Sequence, residues 1–202
     1  RLIIVHGGGE EGFVEGALLI FRAGLKTGDY HTSMNYENFR KWLENQLLPS
    51  LPSPSVIVMD NAKYHCNERD KLPTQGNLKD DIIRWLQEHQ VEFDAKKTKA
   101  ELIKIAQNTP HEKQYLVDEI VQSYGHIPLR LPPYHPDLSP IEMVWGDIKG
   151  QVGLQSVGGS LKEKEELSRR LFQEYTVEKW KKCCENVYEN EQKYRYHDHS
   201  ID

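Results

Sequence analysis

Residues 55–60, SVIVMD, form an apolar run that ends on an acid and is followed at once by Asn61-Ala62-Lys63-Tyr64-His65. Val56, Ile57 and Val58 are β-branched, and a run without polar alternation predicts a strand buried on both faces, the central strand of a sheet. Upstream, RLIIVH (1–6) and ALLIFR (17–22) flank a glycine-rich turn over residues 7–12, which predicts a β-hairpin. Between the two, Phe39, Trp42, Leu43 and Leu47 recur at helical spacing from Tyr36 to Leu48, and Pro49 and Pro52 close the segment.

Downstream of the run, residues 74–125 turn charged and helix-forming. Helices are expected over Leu78 to Gln90, Lys99 to Gln107 and roughly Glu112 to Ser123, the second opened by a Thr98/Glu101 capping box. IPLRL (127–131) returns to strand-like sequence, and Pro128 with the prolines after it favours a sheet edge. Ser160 and Thr176 then suit the N-caps of helices over Leu161 to Glu174 and Val177 to about Tyr194. The order of strand, strand, helix, strand, helical segment, strand and helices predicts a mixed α/β fold in a single domain over residues 1–202, with 74–125 as a helical insertion.

Bulk properties fit a folded protein: 202 residues, 38% apolar, 28% charged, four tryptophans and ten tyrosines. The longest apolar stretches are too short to span a bilayer, so no membrane association is expected. Cys66, Cys183 and Cys184 make neither a disulfide framework nor a paired zinc pattern, which fits an intracellular setting. The net charge of −5 is opposite to that of most nucleic-acid binders, so composition alone weighs against DNA unless positive charge gathers on one face. The chain starts at Arg1, inside an apolar run, and is expected to be part of something longer.

Two places can carry chemistry. Asp60 ends the apolar strand, where α/β sheets put functional groups, although an Asp-Asn pair also simply starts turns. In LPPYHPDLSPIEMVW (131–145), Ser139 can cap a helix, Pro140 suits its first position and Glu142 falls on its third, so Glu142 has a capping account as well as a catalytic one.

Together the two blocks carry a resemblance. VIVMDNAKYH followed by RLPPYHPDLSPIEMVWGDIK resembles the second and third acidic blocks of the DDE superfamily endonucleases, the group that holds the mariner-like transposases. RLIIVHGG, KTGDYH and MNYENFRKWLENQLLP extend the likeness over most of the chain. The resemblance implies a ribonuclease H-like mixed sheet flanked by helices, with the insertion between the second and third acids. It also implies Asp60 and Glu142 as two of three catalytic, metal-holding acids, with Asn61, His65 and His135 in support.

Two Mg²⁺ or Mn²⁺ ions are the implied cofactors, transposon-end DNA the implied partner, homodimer assembly the implied state and the nucleus the implied place in a eukaryotic cell. In the family the first acid lies on the strand before RLIIVH. The chain is therefore expected to begin after that acid, and Glu10, Glu11 and Asp29 sit too late to replace it. The implied activity is DNA strand cleavage and transfer; the alternative is an inactive transposase-derived module that binds DNA or protein. The 81 residues between Asp60 and Glu142 exceed the spacing of compact mariner-like enzymes, and the insertion accounts for them. The two carboxylates are expected to converge on one metal.

Other signals are weaker. His6-Gly7-Gly8-Gly9 matches an esterase oxyanion loop, but no Gly-x-Ser-x-Gly elbow accompanies it. His197 and His199 lie in a polar tail. Lys96, Lys97, Lys99 and Lys104, and Lys162, Lys164, Arg169 and Arg170, could meet phosphates, but interspersed acids favour helix faces laced with ion pairs.

Overall fold

The computed structural model describes residues 1–24, 33–52 and 54–199, side chains included as far as residue 196. KTGDYH, with Asp29, and the His197 and His199 side chains lie outside the described residues. The chain divides into two units, one of residues 1–67 and 117–202, the other of residues 68–116.

The first unit opens with β1 (Leu2–Val5), β2 (Gly8–Gly9), β3 (Gly12–Phe13) and β4 (Leu19–Arg22). β1 and β4 form the expected antiparallel hairpin, Leu2 opposite Arg22 and Val5 opposite Leu19. The glycine turn is more than a turn, because β2 and β3 make a second small ladder inside it. Gly8 shows why glycine is needed: a Cβ there would lie 2.4 Å from Trp180 Cζ2 and 2.9 Å from the Gly12 carbonyl oxygen. His6 is packed rather than presented to a ligand, its ring stacked on Phe13 at 4.2 Å and edge-on to Phe172 at 5.7 Å. Burial pushes its pKa down to about 4.

The period-two geometry of the hairpin gives it two apolar faces. Ile3, Val5, Leu19 and Phe21 join one cluster, while Leu2, Ile4 and Ile20 join another. α1 (Tyr36–Trp42) covers the first face. Asn35 caps it by accepting from the Asn38 N–H at 2.9 Å, and the helical path continues through a π-type turn at Leu43–Leu47 and a 3-10 turn at Leu48–Ser50. Phe39, Trp42, Leu43 and Leu47 are buried, as their spacing predicts, and the Trp42 indole N–H donates to the Ala17 carbonyl at 2.7 Å.

β5 (Val56–Met59) corrects the reading of SVIVMD. It pairs in parallel with β6 (Ile127–Arg130), Val56 opposite Ile127 and Met59 opposite Arg130, and has no other strand partner among the described residues. Ile57 and Met59 are buried, but Val56 is 57% exposed and Val58 48%, and Ile127 and Leu129 on β6 are equally open. A two-stranded pair packs one face onto the core and leaves alternate side chains out, so four aliphatic residues form an open apolar face. Pro128, which has no N–H to donate, stands opposite Ile57 on a strand with one partner, in keeping with an edge.

Between β5 and β6 lie α2 (Lys79–Glu88), α3 (Lys99–Asn108) and α4 (Leu116–Ser123). α4 starts later than its sequence pattern predicts. Tyr115 bridges to Glu68 and the Arg69 N–H donates to the Gln114 carbonyl at 2.9 Å, which holds this backbone in an extended bridge until Leu116. The bridge also marks the unit boundary: the second unit covers 68–116, whereas Val117 and Val121 of α4 sit in the core of the first. Within the second unit Ile82, Trp85 and Leu86 of α2 pack on Leu102, Ile103 and Ala106 of α3, and the Thr98/Glu101 capping box forms as its spacing predicts.

α5 (Pro140–Gln155), α6 (Leu161–Gln173) and α7 (Val177–His199) cover the other face of the hairpin. Val144, Ile148, Leu171, Phe172 and Trp180 meet Ile20 there. Ser160 caps α6 in a box with Glu163, and Lys162–Glu166 and Arg169–Glu165 pair four residues apart on its surface. The whole is a mixed α/β structure whose described strands form three two-stranded sheets. No described helix is long and apolar enough to cross a membrane.

Candidate active site

Asp60 leaves the end of β5 at the surface of the first unit, its side chain 58% exposed. A tight turn follows, with the His65 and Cys66 N–H groups donating to the Ala62 carbonyl at 2.8 and 3.2 Å. That turn brings His65 back on its own strand end, so that Nδ1 lies 2.7 Å from Asp60 Oδ1. The Ala62 N–H donates to the same oxygen at 3.0 Å. The His65 contact, then the Ala62 N–H and the charges of His65 and Arg130, hold the Asp60 carboxyl below its usual range against the opposing effect of burial. Asp60 therefore presents an ionised group with Oδ1 anchored and a side chain more than half exposed.

The parallel register explains the neighbours. Asn61 Nδ2 donates to the Leu131 carbonyl at 2.7 Å, and the Leu131 N–H donates to the Met59 carbonyl at 2.9 Å, so the exits of β5 and β6 are tied together. Arg130, opposite Met59, makes a bidentate pair with Asp118 on α4, at 3.0 Å from Nε and 2.6 Å from Nη2. The same guanidinium donates to the His65 carbonyl at 2.8 Å and to Cys66 Sγ at 3.3 Å. Sequence reasoning did not single out Arg130, although a lone cation in a four-residue apolar strand is a usable signal. Its role emerges only when β6 is laid beside β5.

From Leu131 the chain runs to α5 through a 3-10 turn at Pro136–Leu138. Asn190 Nδ2 donates to the Asp137 carbonyl at 3.2 Å and the Tyr194 hydroxyl to Asp137 Oδ2 at 2.9 Å, both from α7. His135 Nδ1 lies 3.3 Å from that tyrosine hydroxyl, so its contacts are with the tether of this loop rather than with Asp60. Among the supporting residues the sequence indicates, Asn61 and His65 join the strand end and His135 does not.

Glu142 stands in the first turn of α5, where the helix dipole favours a negative charge. Ser139 is the N-cap, but its side chain makes no capping bond, so the capping box that would have explained Glu142 is absent. The Glu142 side chain is exposed and has no hydrogen-bond or ion-pair partner among the described residues. Tyr64 lies within electrostatic range of both acids. Burial comes first in raising its pKa, and the charges of Asp60 and Glu142 push it further the same way.

Residues 75–168 match the family model of the DDE superfamily endonucleases. The matched segment includes Glu142 and begins after Asp60. It supports the superfamily and, with it, a transposase-like nuclease domain. No curated protein and no solved structure matches the chain.

Proposed function

We propose that this chain is the catalytic region of a mariner-like transposase with a ribonuclease H-like core, and that it takes part in metal-dependent cleavage and transfer of DNA strands. The reading is supported by the superfamily match over residues 75–168 together with two exposed acids at element ends, Asp60 at the exit of β5 and Glu142 in the first turn of α5. DNA, as transposon ends, is the substrate, and a homodimer on those ends is the working assembly.

The donor set fits divalent ions: two exposed carboxylates, one oriented by His65 and Ala62 and the other without a competing partner, are the hard oxygen ligands that Mg²⁺ or Mn²⁺ takes. Bound there, such ions polarise a phosphodiester and lower the pKa of a water or a 3′-hydroxyl. This chain's residues do the rest. His65 and the Ala62 N–H keep Asp60 ionised and aimed, Asn61 holds the exits of β5 and β6 together, and the Arg130–Asp118 pair fixes the turn that carries His65.

The test is Mn²⁺-dependent nicking of supercoiled plasmid by the chain lengthened at its N-terminus, alongside Asp60→Ala and Glu142→Ala variants. Both variants are expected to lose nicking, and because both residues are exposed the variants are expected to stay folded. Variants that nick as well as the parent overturn the assignment.

A further inference from the structure

The second unit holds a side-chain cluster with no part in the chemistry above. Asp70 precedes α2, His89 is the C-cap of α2, and His111 follows α3 just beyond Pro110. Asp70 Oδ2 lies 2.6 Å from His89 Nε2 and 3.7 Å from His111 Nδ1, and one ligand atom from each of the three side chains falls within 4.8 Å of the others. Among the described residues this is the one group of three His, Cys, Asp or Glu side chains so drawn together.

The outer bonds of the cluster decide its chemistry. His89 Nδ1 lies 2.7 Å from the Trp85 carbonyl and His111 Nε2 lies 3.0 Å from the Asp70 carbonyl. A carbonyl only accepts, so these ring nitrogens carry the protons. In neutral rings His89 Nε2 and His111 Nδ1 then direct lone pairs at Asp70 Oδ2, which is itself an acceptor. The Trp85 indole N–H donates to the other carboxylate oxygen, Oδ1, at 2.8 Å and so fixes Oδ2 toward the rings. With both rings neutral, three acceptors converge with no donor between them, a gap that either a proton on His89 Nε2 or a metal ion fills, and each is oriented from behind by a hydrogen bond. Metal ligands are held in this way.

We propose that Asp70, His89 and His111 form a zinc site, with water as a fourth ligand, that staples the second unit. Two imidazoles and one carboxylate suit Zn²⁺ better than the all-oxygen preference of Mg²⁺. Ligand atoms around a tetrahedral zinc stand about 3.3 Å apart, so the 2.6 Å contact opens and the 3.7 Å contact closes by less than about 1 Å each. The staple has a physical purpose. The unit runs only from Glu68 to Leu116, a length at which an apolar core alone is marginal, and the three ligands come from three separate segments of it.

The experiment is a Zn²⁺ titration of the chelator-treated full chain, read by competition with a chromophoric chelator and by tryptophan fluorescence. Trp85 stacks on His89 with ring centroids 3.8 Å apart, so binding there alters its emission. One equivalent is expected to bind with a rise in Tm, and Co²⁺ in its place is expected to give the visible absorption of a four-coordinate nitrogen and oxygen site. His111→Gln should weaken binding by at least the roughly 10–100-fold that loss of an outer-sphere partner costs. Asp60→Asn and the double variant His197→Ala/His199→Ala should leave it unchanged, which separates this site from Asp60 and from the terminal histidines. A parent chain that binds no Zn²⁺ saturably, or a His111→Gln variant that folds and binds as the parent does, overturns the proposal. Neither outcome bears on the nuclease reading.

Discussion

Lowering the pH from about 7.5 to about 5 should destabilise the first unit through His6, and a His6→Phe substitution should abolish that part of the loss. The ring is stacked on Phe13, and burial brings its pKa from 6.5 down to about 4. Well above 6.5 it is neutral in both the folded and the unfolded chain, so pH has no effect through it. As the pH falls through 6.5 the unfolded chain takes up a proton that the folded chain refuses, and stability drops. The drop levels off below about 4, where the folded ring is protonated too. At 1.36 kcal/mol per pKa unit the full loss is about 3 kcal/mol, of which about 2 kcal/mol has appeared by pH 5. Carboxylates such as Asp60 also lose stability on acidification, so the quantity to measure is a difference of differences. Urea unfolding of the parent and of His6→Phe at both pH values supplies it, and the parent should lose about 2 kcal/mol more than the variant. Equal losses, or a His6 pKa near 6.5 in an NMR titration of the folded chain, would refute the burial argument.

Three further outcomes are expected. Gly8→Ala puts a methyl group against the Trp180 ring and the Gly12 carbonyl, and urea unfolding should show about 2–3 kcal/mol of destabilisation; a change under about 0.5 kcal/mol would mean the β2–β3 ladder moves freely. Trp42→Phe keeps the aromatic packing but orphans the buried Ala17 carbonyl, at a cost of roughly 1–3 kcal/mol by the same assay. Arg130→Gln leaves the partly buried Asp118 carboxylate without its bidentate partner, costing about 3 kcal/mol, and should let the Asp60 pKa rise in an NMR titration because the Arg130 charge helps to hold it down. An unmoved Asp60 would show that His65 and Ala62 set its ionisation alone.

Much of this architecture was legible from local pattern. The spacing of Phe39, Trp42, Leu43 and Leu47 named the buried stripe of α1, and Thr98 with Glu101 named the start of α3, because both depend on residues within a turn or two. What pattern could not reach was pairing. Whether SVIVMD is buried on one face or two depends on what packs over each face, and Val56 and Val58 are open because their face of the β5–β6 pair is left largely uncovered. The start of α4 was misplaced for a related reason, since the bridge from Glu68 to Tyr115 crosses 46 intervening residues. At the candidate site Asp60, Asn61 and His65 could be read from one contiguous motif, whereas Arg130 enters only through the β5–β6 register. The capping account of Glu142 was sound as a sequence argument and failed because the Ser139 side chain makes no capping bond.

The Glu68–Tyr115 bridge also bears on how fast the protein can find its shape. β5 and β6 are parallel neighbours separated by about 67 residues of chain, and closing so long a loop is entropically slow. The bridge pins the two ends of the intervening unit together. If that unit orders first, the free contour left to close is about 20 residues, which lowers the closure cost by about 1 kcal/mol. Local folding of one segment would then pre-thread the distant pairing, and whatever loosens the small unit should slow refolding of the large one more than it hastens its unfolding.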